Sequence, residues 1–474
     1  MSEKIILSPL QKALKINLDS KMYGSIIETG AGQEVSRHFF RAGSASGTIA
    51  KTMSAYDKNF SNAIYGKEED ERYVCESRLI NMLTHEYGLL EERLSKKKHP
   101  NRKYFVFTNT VTTINYEKTS KGHGWMGVKY QSSSEGHPNN IIIHVNLHDQ
   151  DSRLQQETIG ILGVNLLYAC FYIKNPKEIL KALFENLSRD NIDIDMVKFT
   201  GPDFKNLDNR LLSLTLVKEN MTDGVMFTPD GTNHQPSNIL YKKNILALRG
   251  SFRPVTKVNI DMLENGIKQF NENKKVNKED VQILFEITLS NLKSEGEVDE
   301  QDFLDRVDIL CSLGYTVMIS NFKKYYKVIE YLSQFSSKRM GLIIGANSLI
   351  EMFEEKYYRN LNGGIMEAFG IIFTRDIKIY LYPFKNKGEA NLLTSENLTI
   401  HPRVRDLYKY LYKNKRIEDL SYNKEILHIF SKEVLKKIKN CEEGTWEDMV
   451  PVGVAKIIKS KSLFGCVCEF KSKQ

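Results

Sequence analysis

The chain of 474 residues is 41% hydrophobic and 27% charged, a globular composition that can build two or three separately cored domains. Charges interrupt its first twenty residues and no run of about eighteen apolar residues occurs, so we expect a cytoplasmic protein with no membrane partner. The formal charge of +8 suits phosphate-bearing ligands without requiring nucleic acid, and six cysteines with no CxxC spacing argue against a metal site or a disulfide framework.

In the first half, β-branched and aromatic runs predict strands at Gly24–Glu28, Tyr104–Thr108, Ile141–Asn146 and Asp195–Phe199. Apolar residues at three- and four-residue spacing predict helices at Glu34–Arg41, Glu71–Leu94, Leu154–Tyr172 and Pro176–Leu187. Gly30-Ala31-Gly32 after the first strand is a GxG turn lacking the third glycine of a dinucleotide fingerprint, so close helix–strand packing is the favoured reading and no cofactor is assigned. Lys96 to Lys103 holds the densest basic run, read as a solvated loop, and Gly122-His123-Gly124-Trp125 reads as a turn with an aromatic anchor. His144 and His148 would share a strand face about 13 Å apart, too far for one metal ion.

Thr228–Asn238 is rich in turn formers and marks the expected boundary, giving domains 1–235 and 236–474. Beyond it, strands are predicted at Ile245–Gly250, Gln282–Ile287, Tyr315–Ile319, Gly341–Ile344 and Lys378–Tyr382, with Gly224–Phe227 just before it. Helices at Ile260–Asn271, Gln301–Leu313, Lys323–Gln334 and Ser348–Tyr358 fall between them. Alternation along the whole chain predicts an α/β protein with parallel sheets built from βαβ crossovers.

The strand at Ile245 runs into Gly250-Ser251-Phe252-Arg253-Pro254-Val255-Thr256, with a helix soon after. Such a turn can offer backbone N–H groups and a helix N-terminus to a phosphate. Gly250 to Asn259 resembles the GSFxPxTxxH signature of nucleotidyltransferases. Gly341-Leu342-Ile343-Ile344-Gly345-Ala346-Asn347-Ser348-Leu349 resembles the IIGADSL segment of the nicotinamide/nicotinate mononucleotide adenylyltransferases, and Ser431–Leu463 resembles their C-terminal ISSTxxR…LVPxxVxxYI segment. The chain as a whole also resembles a group of bacterial proteins of similar length, a likeness that implies no activity.

The nucleotidyltransferase resemblance implies a Rossmann-like parallel sheet with a helical C-terminal tail. It implies nucleotide contacts at Gly250, Ser251, Phe252, Thr256, Gly345, Asn347 and Ser431, with catalytic positions at Arg253, Asn259 and Lys432. The ligand would be ATP or an NAD-type nucleotide with Mg, and the protein a homo-oligomer. Several positions depart from the pattern. Asn259 stands at the second signature histidine, Leu435 at the ISSTxxR arginine and Asn347 at the GAD aspartate. Each lost donor costs about 10²–10³ in rate, so a catalytically inactive scaffold or self-assembling protein is the alternative. On the tail, Lys436 and Lys437 read as a solvated basic face.

Overall fold

The computed structural model describes residues 6–68, 72–94, 101–293, 296–374, 376–385, 391–442 and 444–466; Lys96, Lys97 and Lys98 of the basic run lie outside them. The chain divides into two compact units, Met1–Asp223 and Gly224–Gln474.

Six strands form the sheet of the first unit: β1 (Met22–Thr29), β2 (Ile49–Met53), β3 (Lys103–Thr112), β4 (Gly122–Tyr130), β5 (Asn139–Leu147) and β6 (Ile192–Thr200). Their spatial order is β2-β1-β3-β4-β5-β6. β1 runs parallel to β2 and β3, whereas β3 to β6 form an antiparallel meander. Parallel pairing throughout, expected from the alternation, therefore fails in this half. The segments joining β3, β4 and β5 are too short for the crossover of a dozen or so residues that parallel neighbours need.

Gly122–Trp125, read as a turn, is instead the start of β4. A Cβ on Gly124 would lie 2.5 Å from the Val111 side chain and 2.9 Å from the Thr110 carbonyl, so glycine is what lets β4 approach β3. The Ser152–Tyr172 helix packs on one sheet face through Phe171 against Phe105. On the opposite face the Glu76–Arg93 helix buries Leu79, Met82 and Leu83 with Tyr104, Val106, Trp125 and Ile142.

In the second unit β7 (Gly224–Phe227) and β8 (Asn233–His234) form a hairpin, with Asp230 accepting from Thr228 Oγ1 at 2.6 Å and Thr232 N at 3.1 Å. The turn-rich stretch is thus the tip of a hairpin lying along the edge of the second sheet. The observed division falls after residue 223 rather than after 235 for this reason.

The sheet continues with β9 (Asn244–Arg249), β10 (Val281–Thr288), β11 (Thr316–Ser320), β12 (Met340–Gly345) and β13 (Ile377–Tyr382). A small ribbon of β14 (Phe384–Lys385) and β15 (Leu392–Leu393) precedes the last strand, β16 (Ile417–Asp419). The order is β16-β13-β12-β9-β10-β11-β7-β8, parallel from β16 to β11. Counted from β9, those six strands run 3-2-1-4-5-6, the doubly wound arrangement, in which the winding reverses between the first and fourth strands. Ile245, Leu246, Ala247 and Leu248 of β9 are all buried, the apolar run of a strand covered on both faces. The reversal opens a crevice at the carboxyl ends of β9 and β12.

Candidate functional site

A cleft of about 1020 Å³ occupies that crevice, at the upper end of the range for small-molecule sites. Residues following β9, β10, β11 and β12 form its floor and one wall, and the Ser431–Lys439 helix forms another. The three segments that resemble nucleotidyltransferases therefore meet at one place, supplying Gly250 and Ser251, Ser348, and Ser431 and Lys432.

At the floor, the last residue of β9, Arg249, binds Glu286 of β10, and its guanidinium carbon lies 4.5 Å from the Tyr325 ring centroid. Ser320 of β11 donates its hydroxyl to the same Glu286 carboxylate at 2.6 Å. Burial of an arginine here is tolerable because a carboxylate meets it with bidentate geometry.

The turn after β9 is anchored from behind. Asn291 Nδ2 donates to the Gly250 carbonyl at 3.1 Å, and Arg306 Nη1 donates to the Ser251 carbonyl at 3.0 Å. Arg306 is wholly buried and ion-pairs with Asp302, which also accepts from Arg253 Nε at 2.5 Å. Phe252 takes a left-handed backbone at φ 46° and buries its ring against Phe285, with centroids 4.9 Å apart. That conformation costs a non-glycine residue about 1–2 kcal/mol, which burial of the ring offsets.

Among the described residues seven cationic side chains line the cleft: Arg249, Arg253, Lys323, Lys324, Lys432, Lys436 and Lys439. The two arginines are neutralised by Glu286 and Asp302. Among the described residues, none of the five lysines lies within ion-pairing distance of a carboxylate. Among the described residues Glu351 is the one acidic lining residue. Lys324 sits with Nζ 3.2 Å from the Tyr357 ring centroid, and burial lowers its pKa, opposed by Glu351. Three of the lysines, Lys432, Lys436 and Lys439, follow the i, i+4, i+7 spacing of one helix face. Lys436 lines the cleft and is exposed, so the solvated basic face of this helix is also a cleft wall, whereas Lys437 points its Nζ at the Thr445 carbonyl, 3.4 Å away.

The sequence-derived site residues divide into two groups. Gly250, Ser251, Arg253, Ser431 and Lys432 line the cleft; Phe252, Thr256, Asn259, Gly345 and Asn347 do not. Thr256 and Asn259 form a capping box on the Lys257–Asn271 helix, with Asn259 Oδ1 accepting from Thr256 N at 2.9 Å and from Thr256 Oγ1 at 3.0 Å. Gly345 precedes the Ala346–Met352 helix, and Asn347 is exposed beside the lining residue Ser348. Sequence reasoning missed Arg249, Lys323, Lys324 and Lys439. Lys323 and Lys324 lie in the loop that leaves the Tyr315–Ile319 run, where an open α/β sheet puts ligand contacts.

In the first unit, Gly30 has φ 92°, and its α-carbon lies so close to β3 that a Cβ would fall 2.0 Å from the Val111 carbonyl. Donors at the start of the following helix are taken internally: Glu28, wholly buried, accepts from Val35 N at 2.9 Å and Ser36 N at 3.0 Å. Burial raises the Glu28 pKa, and its bonds to Ser36 and Val35 oppose this. The carboxylate holds the place a phosphate would need, which supports packing over ligand binding for this turn. His144 and His148 do not converge: His144 is buried on Asp195, and His148 reaches Asp193 at 3.5 Å. Among the described residues no group of three His, Cys, Asp or Glu could hold a metal ion, and no helix is long and apolar enough to cross a membrane.

No protein-family model and no curated protein matches the chain. Solved structures do match part of it. The competence/damage inducible protein CihA from Agrobacterium tumefaciens is 12% identical with a TM-score of 0.25, over 35% of this chain and 98% of that one. A competence-damaged protein (CinA) superfamily member from Enterobacter cloacae is 11% identical with a TM-score of 0.26, over 36% of this chain and 96% of that one. A competence-damaged protein (CinA) superfamily protein from Escherichia coli is 14% identical with a TM-score of 0.22, over 37% of this chain and 88% of that one. Likenesses at this level carry no functional argument.

Proposed function

We propose that the second unit binds a nucleotide through its phosphates in the cleft between β9 and β12, as a divergent mononucleotide adenylyltransferase of NAD metabolism. The observation that carries this reading is a set of five lysines lining one cleft at the reversal point of a doubly wound sheet, none of them within ion-pairing distance of a carboxylate among the described residues. Unneutralised cations in a concave site raise the local concentration of polyanions and suit a phosphate chain. The meeting of the three resembling segments supports the same ligand class.

Adenylyl transfer asks the site to hold two phosphate-bearing reactants in line and to stabilise charge on the α-phosphate. Lys432 and Lys436 would supply charge where the family pattern has the arginine now replaced by Leu435. Ser251 and Ser431 would offer hydroxyl contacts. Among the described residues Glu351 is the one carboxylate in the lining and no group of three His, Cys, Asp or Glu could hold a metal ion, so a Mg²⁺ ion held by these residues would depend on the nucleotide for most of its ligands. Calorimetry with ATP, nicotinamide mononucleotide and NAD tests the reading. Absence of binding at roughly millimolar ligand to the folded protein defeats it.

A second reading, nucleotide binding without turnover, is favoured by specific contacts. Arg253 is engaged by Asp302, Asn259 caps a helix, and Leu435 stands in the cleft. Pyrophosphate release from ATP and the mononucleotide separates the two. A scaffold or self-assembling role requires in addition that the purified protein form large regular assemblies, which light scattering reads directly.

A further inference from the structure

One residue of the cleft is out of keeping with the charge around it. Among the described residues Glu351, on the Ala346–Met352 helix that follows β12, is the single carboxylate in the lining, against five lysines. It is exposed, and among the described residues no cation lies within ion-pairing distance of its carboxylate and no group donates a hydrogen bond to it. Its charge still acts inside the cleft. There it opposes the burial that lowers the Lys324 pKa and adds to the burial that raises that of Tyr325.

A carboxylate placed to neutralise the cleft would pair with one of these lysines, and this one stands apart from all of them. An ionised carboxylate accepts hydrogen bonds only and repels phosphate. A ligand whose phosphates answer the lysines therefore keeps them away from Glu351 and turns hydrogen-bond donors toward it. The surroundings fit a nucleoside. Ser348, Glu351 and Met352 stand at i, i+3 and i+4 on one helix face and line the cleft together. Met352 is buried in the apolar core with Phe322 and Tyr358, which also line the cleft. The carboxylate thus rises beside an apolar surface, whereas Lys432, Lys436 and Lys439 come from another wall, the Ser431–Lys439 helix. At about 1020 Å³ the cleft has room for far more than a phosphate chain.

We propose that Glu351 selects ribonucleoside polyphosphates for this cleft, its two carboxylate oxygens accepting from the ribose 2′- and 3′-hydroxyls while the lysines hold the phosphates. Two adjacent hydroxyls on one sugar match the two oxygens of one carboxylate, and an analogue without them leaves those oxygens unanswered. The proposal rests on the nucleotide reading of the second unit and narrows it to ligands with a free ribose diol, against deoxynucleotides and inorganic polyphosphate.

The test is calorimetry of the full chain, parent and Glu351→Ala, with ATP, 2′,3′-dideoxy-ATP, inosine triphosphate and inorganic triphosphate. The parent is expected to bind ATP and inosine triphosphate alike and dideoxy-ATP about tenfold more weakly, the effect of lost hydrogen bonds to a charged group. Glu351→Ala should bind ATP and dideoxy-ATP equally, and inorganic triphosphate at least as tightly as the parent does, because a repelling charge is gone. A carboxylate that only screens the lysines would on removal tighten all these ligands alike, and one that held a metal ion on the phosphates would weaken them alike. Either result overturns the proposal. So does a parent that binds ATP and dideoxy-ATP equally, or one that separates ATP from inosine triphosphate instead, which would mark the base amino group as the donor. Those outcomes leave nucleotide binding standing, whereas failure of ATP to bind defeats the underlying reading and this proposal with it. ATP and dideoxy-ATP are compared on the parent, so that comparison holds even where the variant fails to fold.

Discussion

Arg249 grips Glu286 with two parallel hydrogen bonds, Nε to Oε2 at 2.8 Å and Nη2 to Oε1 at 2.7 Å, at the floor of the lysine-rimmed cleft. The carboxylate is 2% exposed and the guanidinium side chain 11%. Removing one partner strands a charge in a poorly solvated place, at a cost of about 3–5 kcal/mol. Glu286→Ala should lower unfolding stability by that amount in urea titrations. Adding Arg249→Met should restore most of it, because no charge then remains buried. Equal stability of the single variant and the parent would show that Arg249 finds solvent instead.

Asn259 closes a capping box with Thr256 at the start of the Lys257–Asn271 helix. Loss of such a cap costs about 1 kcal/mol, so Asn259→Ala should destabilise the protein by roughly this much. ATP affinity is the second readout for the same variant. A loss of about tenfold or more in affinity would place Asn259 in contact with the ligand.

His123 sets a pH dependence whose sign is fixed by its burial. Its folded pKa is lowered from 6.5 to about 4, so between these values the unfolded chain binds a proton that the folded chain does not. The contribution is fully present above 6.5 and is lost as pH falls toward 4, amounting to about 3 kcal/mol in all. Unfolding midpoints of the parent and His123→Gln, compared across this range, isolate it from the titration of the carboxylates. The variant should lose less stability on acidification than the parent, and parallel curves would contradict the assignment.

The doubly wound half was legible because β9, β10, β11, β12 and β13 are short apolar runs separated by helical periodicity, with Gly250-Ser251 breaking the first. The first half misled because β4, Gly122 to Tyr130, carries three glycines and a histidine in place of the usual β-branched run. Its pairing with β3 and β5 is a tertiary fact, invisible to local propensity. In the cleft, the turn residues and Lys432 could be found from motif order. Lys436 and Lys439 could have been found from helical spacing with Lys432. Which lysines lack acidic partners could not, since that depends on where Glu286, Asp302 and Glu351 end up in space.

The most direct measurement is calorimetric binding of ATP and of adenosine to the parent and to Lys432→Gln/Lys436→Gln/Lys439→Gln. Charge-assisted contacts of this kind are each worth about tenfold in affinity when partly desolvated. The parent should bind ATP far more tightly than adenosine, with a strong salt dependence, and the triple variant should lose most of that preference while keeping its unfolding transition. ATP and adenosine binding alike to the parent, or ATP binding equally to parent and variant, would contradict the phosphate-binding cleft.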